Sequence, residues 1–184
     1  FLSTHEQLPL LTSGLGEMVQ YPCGPSLFTS VAAKIIPLSL MTMMGFLASV
    51  ISALVAVTVY LLGRRLLERY SDEKTITDAV ALVSAFMVFS VPVYFLDQYC
   101  GNFYYSMIFG ELLVLLAILA LMNVETGNRS WIYIFIIATM GIIFTYTLYI
   151  IIPVSALVLF AFLNPDKIRA LIDRVTVVSC ILVA

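Results

Sequence analysis

Long stretches without a charged residue constrain this chain more than any other feature of its sequence. No Asp, Glu, Lys or Arg occurs in residues 35–63, 79–96, 112–124 or 130–165. About 20 consecutive apolar residues are enough for a helix to span the hydrocarbon core of a bilayer, and backbone polar groups must be satisfied internally there. The sequence therefore predicts several transmembrane helices.

Composition gives the same class. Hydrophobic residues make up 62% and charged residues 11% of the 184 residues, with a mean hydropathy of +1.07, whereas soluble domains are about half apolar and a quarter charged. We therefore expect an all-α, polytopic integral membrane protein. The net charge of -2 and the single His5 provide no basic surface for nucleic acid, and no cluster of His, Cys and carboxylates has the spacing of a metal site.

Polar and apolar segments alternate along the chain in a way that predicts its organisation. Residues 1–24 read as a loop outside the hydrocarbon, and residues 25–36 as a short helix with Pro25 in its first turn. Transmembrane segments are predicted at about 38–62, 76–96, 103–122, 131–144, 147–163 and 175–184. The last run stops short of a full helix, and Phe1 follows no initiator Met or signal sequence. We interpret the sequence as part of a longer protein.

Basic residues predict the orientation of these segments. Arg64, Arg65, Arg69 and Lys74 form the densest Lys/Arg cluster, so the positive-inside rule places residues 63–75 in the cytoplasm. Residues 1–36 are then extracytoplasmic or interfacial, and residues 97–102 form an outer turn. Cys23 and Cys100 both lie on the outer side in this topology, where a disulfide is possible, but sidedness alone does not establish the bond.

The segment at residues 131–163 allows two interpretations. It is too long for one untilted membrane helix and short for two full ones, and basic residues near both flanks favour a hairpin that turns near residues 145–147. A single long, tilted helix is the alternative.

The order of these segments along the chain is similar to that of a known protein family. An outer loop ending in "YPCGP" precedes a short helix, a helix ending "VYLLGRRL", a helix ending "FSVPVYFLDQ", and then "YYSMIFGELLVLLAILALM" and the paired segment that contains "FTYTLY". This series resembles the N-terminal half of the class C glycosyltransferase superfamily, to which protein O-mannosyltransferases and lipid A aminoarabinose transferases belong. The resemblance covers nearly the whole chain, but its motifs contain few fixed residues.

The resemblance implies transfer of a sugar from a polyprenyl-phosphate donor to an acceptor at the outer membrane face. An outer-loop carboxylate of that family acts as base or metal ligand, so a divalent metal ion could take part. The family's catalytic Asp is expected upstream of Phe1; Glu6, with His5 beside it, is a weaker candidate, and both also suit an ordinary polar loop. Tyr21 would belong to the turn that leads into an interfacial helix at residues 25–36, in which Lys34 reaches the lipid headgroups.

Further candidates follow along the chain. Asp97 lies at the outer end of a predicted helix, where the family often has a second acidic residue, although a charge that only ends the helix is equally compatible. Glu111 lies about two turns inside the next helix, where a carboxylate is costly; it either lines a polar cavity or forms a structural hydrogen bond. Tyr146 occupies the position of a family lysine that suits the carrier phosphate. Thr145 and Tyr146 could bind phosphate or sugar, but a tyrosine there could also be an interfacial anchor.

These observations support a membrane glycosyltransferase as the first functional hypothesis. A non-catalytic helical subunit or scaffold of a membrane complex, with membrane protein partners, is the second, because the acidic pair and the lysine of the family are missing from this sequence. A channel or transporter is the third; it is disfavoured by the absence of paired broken helices in the sequence. Membrane lipids are expected partners in every case.

Overall fold

The computed structural model describes residues 24–36, 38–90, 105–124, 128 and 130–165, and within these ranges all regular structure is helical. The helices are α1 (Gly24–Ile35), α2 (Leu40–Leu67), α3 (Lys74–Ser90), α4 (Tyr105–Val124), α5 (Ser130–Thr145) and α6 (Ile151–Leu163), with a 3-10 helix at Thr147–Ile150 between the last two. The predicted all-α class is confirmed for this part of the chain.

Two of the helices have the length and composition of membrane-spanning segments. They are Met41–Leu67, with 27 residues, and Ser106–Val124, with 19. A rise of 1.5 Å per residue gives them lengths of about 40 and about 29 Å, against a hydrocarbon layer of about 30 Å. The segments Ser130–Thr145 and Thr147–Leu163 are apolar as well but shorter.

Local hydrogen bonds explain where α2 begins and where it gives way to α3. The Ser39 hydroxyl accepts a hydrogen bond from the Thr42 N–H at 3.2 Å and caps the first turn of α2. At the other end the helix continues through Arg64 and Arg65 to Leu67, five residues beyond the predicted end at residue 62. The Ser71 hydroxyl then accepts from the Glu73 N–H at 3.2 Å, just before α3 starts.

Helix α4 is central to the bundle. It contacts α1, α2, α5, α6 and the 3-10 helix. A buried cluster joins Ala48, Ile51 and Val55 of α2 to Ile108 and Leu112 of α4. Small residues allow close packing at the other contacts: a Cβ on Gly63 would lie 3.6 Å from the Ala81 Cβ between α2 and α3, and a Cβ on Gly141 of α5 would lie 3.0 Å from Cδ1 of Leu113 on α4.

Helix α1 buries hydroxyl groups and exposes apolar side chains. Thr29 is 1% exposed and donates a hydrogen bond to the Pro25 carbonyl at 2.8 Å, whereas Ile35 is 76% exposed and Leu27, Phe28 and Val31 are each about half exposed. Large apolar side chains are also exposed on α2 and α3, among them Phe46, Val57 and Phe86. Such an outer surface suits lipid better than water.

The segment predicted as either a hairpin or one long helix is broken at Tyr146. Pro153 lies in the first turn of α6. Because proline has no N–H to donate and its ring would clash with the carbonyl of Tyr149, a regular α-helix cannot extend back through Tyr149. The chain forms the 3-10 helix instead, with Tyr146 outside the helical region at φ -152° and ψ 87°. Among the described residues α5 and α6 do not pack along one another. The segment is therefore not a continuous helix; it is interrupted near residues 145–147, where the hairpin interpretation places its turn.

Candidate functional site

One end of the bundle brings four elements together. The ring of Phe28 on α1 lies edge-on to that of Phe109 on α4, with centroids 5.8 Å apart and planes at 62°. Next to Phe109, Gly110 faces the start of the 3-10 helix, and α1 also contacts α5. We call this region the aromatic end and define it by Phe28, Phe109, Glu111, Tyr146 and Tyr149.

Gly110 lets the 3-10 helix approach α4 closely. A Cβ at this position would lie 3.1 Å from the Cβ of Tyr146 and 3.1 Å from Cδ2 of Tyr149. Carbon atoms make their best contact at about 3.5 to 4.0 Å, so a side chain at residue 110 would require Tyr146 and Tyr149 to move by a few tenths of an ångström. The absence of a side chain at Gly110 therefore sets the position of both tyrosines relative to α4.

Glu111 follows Gly110 and is partly buried. Successive helical residues are about 100° apart, so Glu111 lies between the face of α4 that packs on α2 through Ile108 and the face that meets the 3-10 helix through Gly110. The Tyr149 hydroxyl donates a hydrogen bond to the Glu111 carboxylate. The carboxylate makes no other hydrogen bond or ion pair with the residues that the structure describes.

Tyr146 and Tyr149 form a pair of rings beside this carboxylate. Their centroids are 4.7 Å apart and their planes meet at 61°, and the Tyr149 N–H donates to the Tyr146 carbonyl at 2.9 Å. The Tyr146 hydroxyl has no hydrogen-bond partner within the described ranges. The site thus contains a carboxylate with one donor, a second hydroxyl and two ring faces.

Thr145 is placed differently from the other candidates. Its side chain is 4% exposed, and its hydroxyl lies 2.9 Å from the Gly141 carbonyl and 3.3 Å from that of Ile142. The hydroxyl proton is therefore used within α5. Thr145 therefore stabilises the last turn of α5, and its hydroxyl proton is not available to a ligand.

The opposite end of the bundle is charged. The Arg64 guanidinium lies 3.0 Å from Glu68 Oε1 and 3.3 Å from Asp78 Oδ1 of α3, and the Tyr60 hydroxyl donates to the same Asp78 oxygen at 3.4 Å. We call Tyr60, Arg64, Glu68 and Asp78 the charged end. A surface recess of about 330 Å³ lies beside it and is lined by Arg64, Glu68, Ser71, Asp72, Lys74 and Thr77. Charges of both signs line this recess, so it has no preference for an anion or a cation.

Several predicted site residues lie outside the described residues. They are His5, Glu6, Tyr21, Asp97, Cys23 and Cys100. The outer loop at 1–23, the turn at 97–102 and the segment at 175–184 lie outside them too, so the roles and the disulfide predicted there stay predictions. In the part of the chain that is described, no three residues among His, Cys, Asp and Glu come close enough together to hold a metal ion.

Sequence reasoning named Glu111 and Tyr146 but did not place them together, and it missed Tyr149 and Gly110. The signal for Tyr149 is its spacing of three residues from Tyr146, about one helical turn, which allows neighbouring side chains to contact each other. The signal for Gly110 is weaker, because a glycine next to a carboxylate in an apolar helix indicates a close approach only once the neighbouring helix is known.

Comparisons with protein-family models, with curated proteins and with solved structures give no match for this chain. Its function is therefore argued from its own residues.

Proposed function

We propose that this protein is an integral membrane glycosyltransferase of the class C type, which transfers a sugar from a polyprenyl-phosphate-linked donor to an acceptor on the extracytoplasmic side. The observation that carries the proposal is the partly buried Glu111 carboxylate beside Tyr146 and Tyr149, at the end of an apolar bundle where α1 docks. The ordered series of sequence features from "YPCGP" to "FTYTLY" supports the same assignment.

The proposed placement in the bilayer is multi-pass. Two helices long enough to span a membrane and the apolar outer surface of α2 and α3 support it. The charged end, with Arg64 and Arg65, then lies on the cytoplasmic side, and the aromatic end on the extracytoplasmic side. In this orientation α1 lies at the outer membrane surface, and its exposed face with Phe28 and Ile35 contacts lipid.

The proposed reaction needs a base and a site for the sugar. The acceptor hydroxyl loses its proton as its oxygen bonds to the anomeric carbon, and the bond from that carbon to the phosphate oxygen breaks, with the electron pair leaving on the carrier phosphate. A carboxylate near the outer surface is suited to accept the proton. We assign that role to Asp97, at the outer end of its predicted helix, and not to Glu111, whose carboxylate is held by Tyr149.

One observation favours a second function, that of a non-catalytic helical subunit of a membrane complex. Tyr146 occupies the position at which the class C enzymes have a lysine for the carrier phosphate, and the structure places an acidic group, Glu111, close to that position. An enzyme with this arrangement must bind the phosphate elsewhere, whereas a scaffold needs no phosphate site.

Sugar transfer by the full-length protein tests the two functions. Membranes containing wild type, Asp97→Asn or the control Glu73→Gln are incubated with radiolabelled polyprenyl-phosphate sugars. Glu73 is exposed at the start of α3, so the control removes a carboxylate far from the aromatic end. We expect transfer by wild type and control and its loss in Asp97→Asn. Absence of transfer from every donor, together with stable co-purification of other membrane proteins, would favour the subunit.

A further inference from the structure

The Glu111 carboxylate has more hydrogen-bonding capacity than its surroundings use. An ionised carboxylate offers about four acceptor sites, and within the described residues only the Tyr149 hydroxyl donates to it. The ring of Tyr146 contacts that of Tyr149, with centroids 4.7 Å apart, and the Tyr146 hydroxyl makes no hydrogen bond within the described residues either. The oxygens of Glu111 and Tyr146 are not among the buried unpaired side-chain atoms of the described residues, so they are accessible and a ligand or water can supply the missing partners.

The chemistry of the three side chains selects among ligands. A carrier phosphate is disfavoured, because a carboxylate repels an anion and no Lys or Arg lies in α4, α5 or the 3-10 helix. The basic residue of α1 is Lys34, which is exposed and lies six residues beyond Phe28. A divalent cation is disfavoured, because Glu111 is the one carboxylate in these elements and such ions take several oxygen ligands. A neutral polyol suits the site: adjacent hydroxyls donate to the carboxylate, and the C–H face of the ring packs on an aromatic face.

We propose that Glu111, Tyr146 and Tyr149 form the subsite that holds the sugar ring of the lipid-linked donor, with the carrier phosphate bound outside it. This inference rests on the proposed function and assigns the part of the donor that the aromatic end recognises. Glu111 accepts hydrogen bonds from two neighbouring sugar hydroxyls, and Tyr149 is a positioning residue that orients the carboxylate. Gly110 lets the rings lie close enough to α4 to share the ligand with Glu111.

Binding of two kinds of probe to the full-length protein in nanodiscs tests the subsite. The probes are polyprenyl phosphates that carry glucose, mannose, N-acetylglucosamine or 4-amino-arabinose, and the same polyprenyl phosphate without a sugar. Wild type is compared with Glu111→Gln, which keeps the shape and removes the charge, and with Glu73→Gln as a matched control. Glu111→Asp serves if the glutamine variant does not insert, since it moves the carboxylate by one methylene and keeps its charge.

We expect wild type and Glu73→Gln to bind one sugar-bearing lipid more tightly than the bare carrier phosphate. Glu111→Gln should lose about ten-fold in affinity for that lipid, the factor expected for one hydrogen bond to a charged group. Binding of the bare carrier should stay the same or become tighter, because the substitution also removes a negative charge. Equal losses for both probes, or an unchanged preference in the variant, would overturn the subsite.

The failure of the subsite and that of the enzyme are distinguishable. If wild type transfers sugar and Glu111→Gln has the same sugar preference, the subsite proposal is wrong and the glycosyltransferase proposal stands. If the sugar preference depends on Glu111 but no donor supports transfer, the protein binds sugar-bearing lipids and the glycosyltransferase proposal is wrong. Wild type that binds every sugar-bearing lipid no better than the bare carrier overturns the subsite outright.

Discussion

The two ends of the bundle treat their acidic residues in opposite ways. At the charged end Asp78 and Glu68 lie within 3.3 Å of the Arg64 guanidinium, and these side chains are about one-third to two-fifths exposed. At the aromatic end Glu111 has no cation within its contacts among the described residues, and a tyrosine hydroxyl is its partner. Paired charges at a surface link helices, whereas the Glu111 carboxylate can accept hydrogen bonds from a partner that the described residues do not supply.

The two ends should also contribute differently to the stability of the protein and to ligand binding. Exposed ion pairs contribute between 0 and about 1 kcal/mol each. The ion pairs at the charged end therefore help to orient α2 against α3, and their loss should reduce the stability of the protein only slightly. A carboxylate within an apolar helix costs a few kcal/mol. That cost makes Glu111 a better functional candidate than any residue at the charged end, and substitutions at the two ends should have different signatures.

The largest effect is expected from Gly110→Val, which would break the aromatic end. The new side chain starts 3.1 Å from Tyr146 Cβ and from the Tyr149 ring, and overpacking of this kind costs about 1 to 3 kcal/mol. Thermal unfolding in detergent should show the loss of stability. Gly45→Val is the matched control, since a Cβ there meets nothing within 4 Å. Equal destabilisation by both variants would show that helix propensity, and not the close approach, causes the effect.

The second effect is expected from Tyr149→Phe, which removes one hydroxyl and keeps the ring. The Glu111 carboxylate loses its donor, and a hydrogen bond to a charged group contributes about 1.5 kcal/mol or more. Sugar transfer should fall about ten-fold, mainly through weaker donor binding, seen as a higher KM. Tyr133→Phe on the exposed part of α5 should leave KM unchanged. An unchanged KM in Tyr149→Phe would show that the hydroxyl does not orient Glu111.

A smaller effect is expected at the charged end from Asp78→Asn. The substitution removes the contact to Arg64 at 3.3 Å, while Glu68 still pairs with Arg64. We expect a loss of at most about 1 kcal/mol, smaller at 1 M than at 0.05 M salt because salt screens exposed charges. Unfolding at both salt concentrations measures it, with Asp72→Asn as control. A change in sugar transfer would contradict the separation between the two ends.

The smallest effect is expected from Thr145→Val. It removes the hydroxyl that donates to the Gly141 carbonyl but keeps the volume of the side chain, so the stability of α5 should fall by about 1 kcal/mol or less. Donor affinity should not change, because the threonine donor is already used within the helix. A clear loss of affinity would return Thr145 to the binding site that its sequence position first indicated.

The sequence predicts where apolar helices occur, because a long run without charged residues is stable only where its side chains are kept out of water. It is less informative about their ends. Helix α2 was predicted to end at residue 62, but Arg64 pairs with Glu68 one turn later, and such i,i+4 pairs let a helix continue beyond its apolar part. The sequence also did not indicate the 3-10 helix after Tyr146, to which Pro153 contributes because it excludes a regular α-helix through Tyr149, one turn before its own position.

The contacts of the candidate site could not be predicted in the same way. Glu111 stood out because a carboxylate in an apolar run is costly, and that cost is a property of a single residue. Its contact with Tyr149 depends on the packing of α4 against the 3-10 helix, which in turn depends on Gly110. Contacts between distant parts of the chain depend on several residues at once, so no local pattern predicts them.

The close approach at Gly110 also limits how this sequence can vary. Every other amino acid has a Cβ, so any replacement at residue 110 meets both the Cβ of Tyr146 and the ring of Tyr149. Relief of both contacts requires Tyr146 and Tyr149 to shift by a few tenths of an ångström, or to be replaced by smaller residues. In related chains, substitutions at 110 should therefore tend to occur together with changes at 146 or 149.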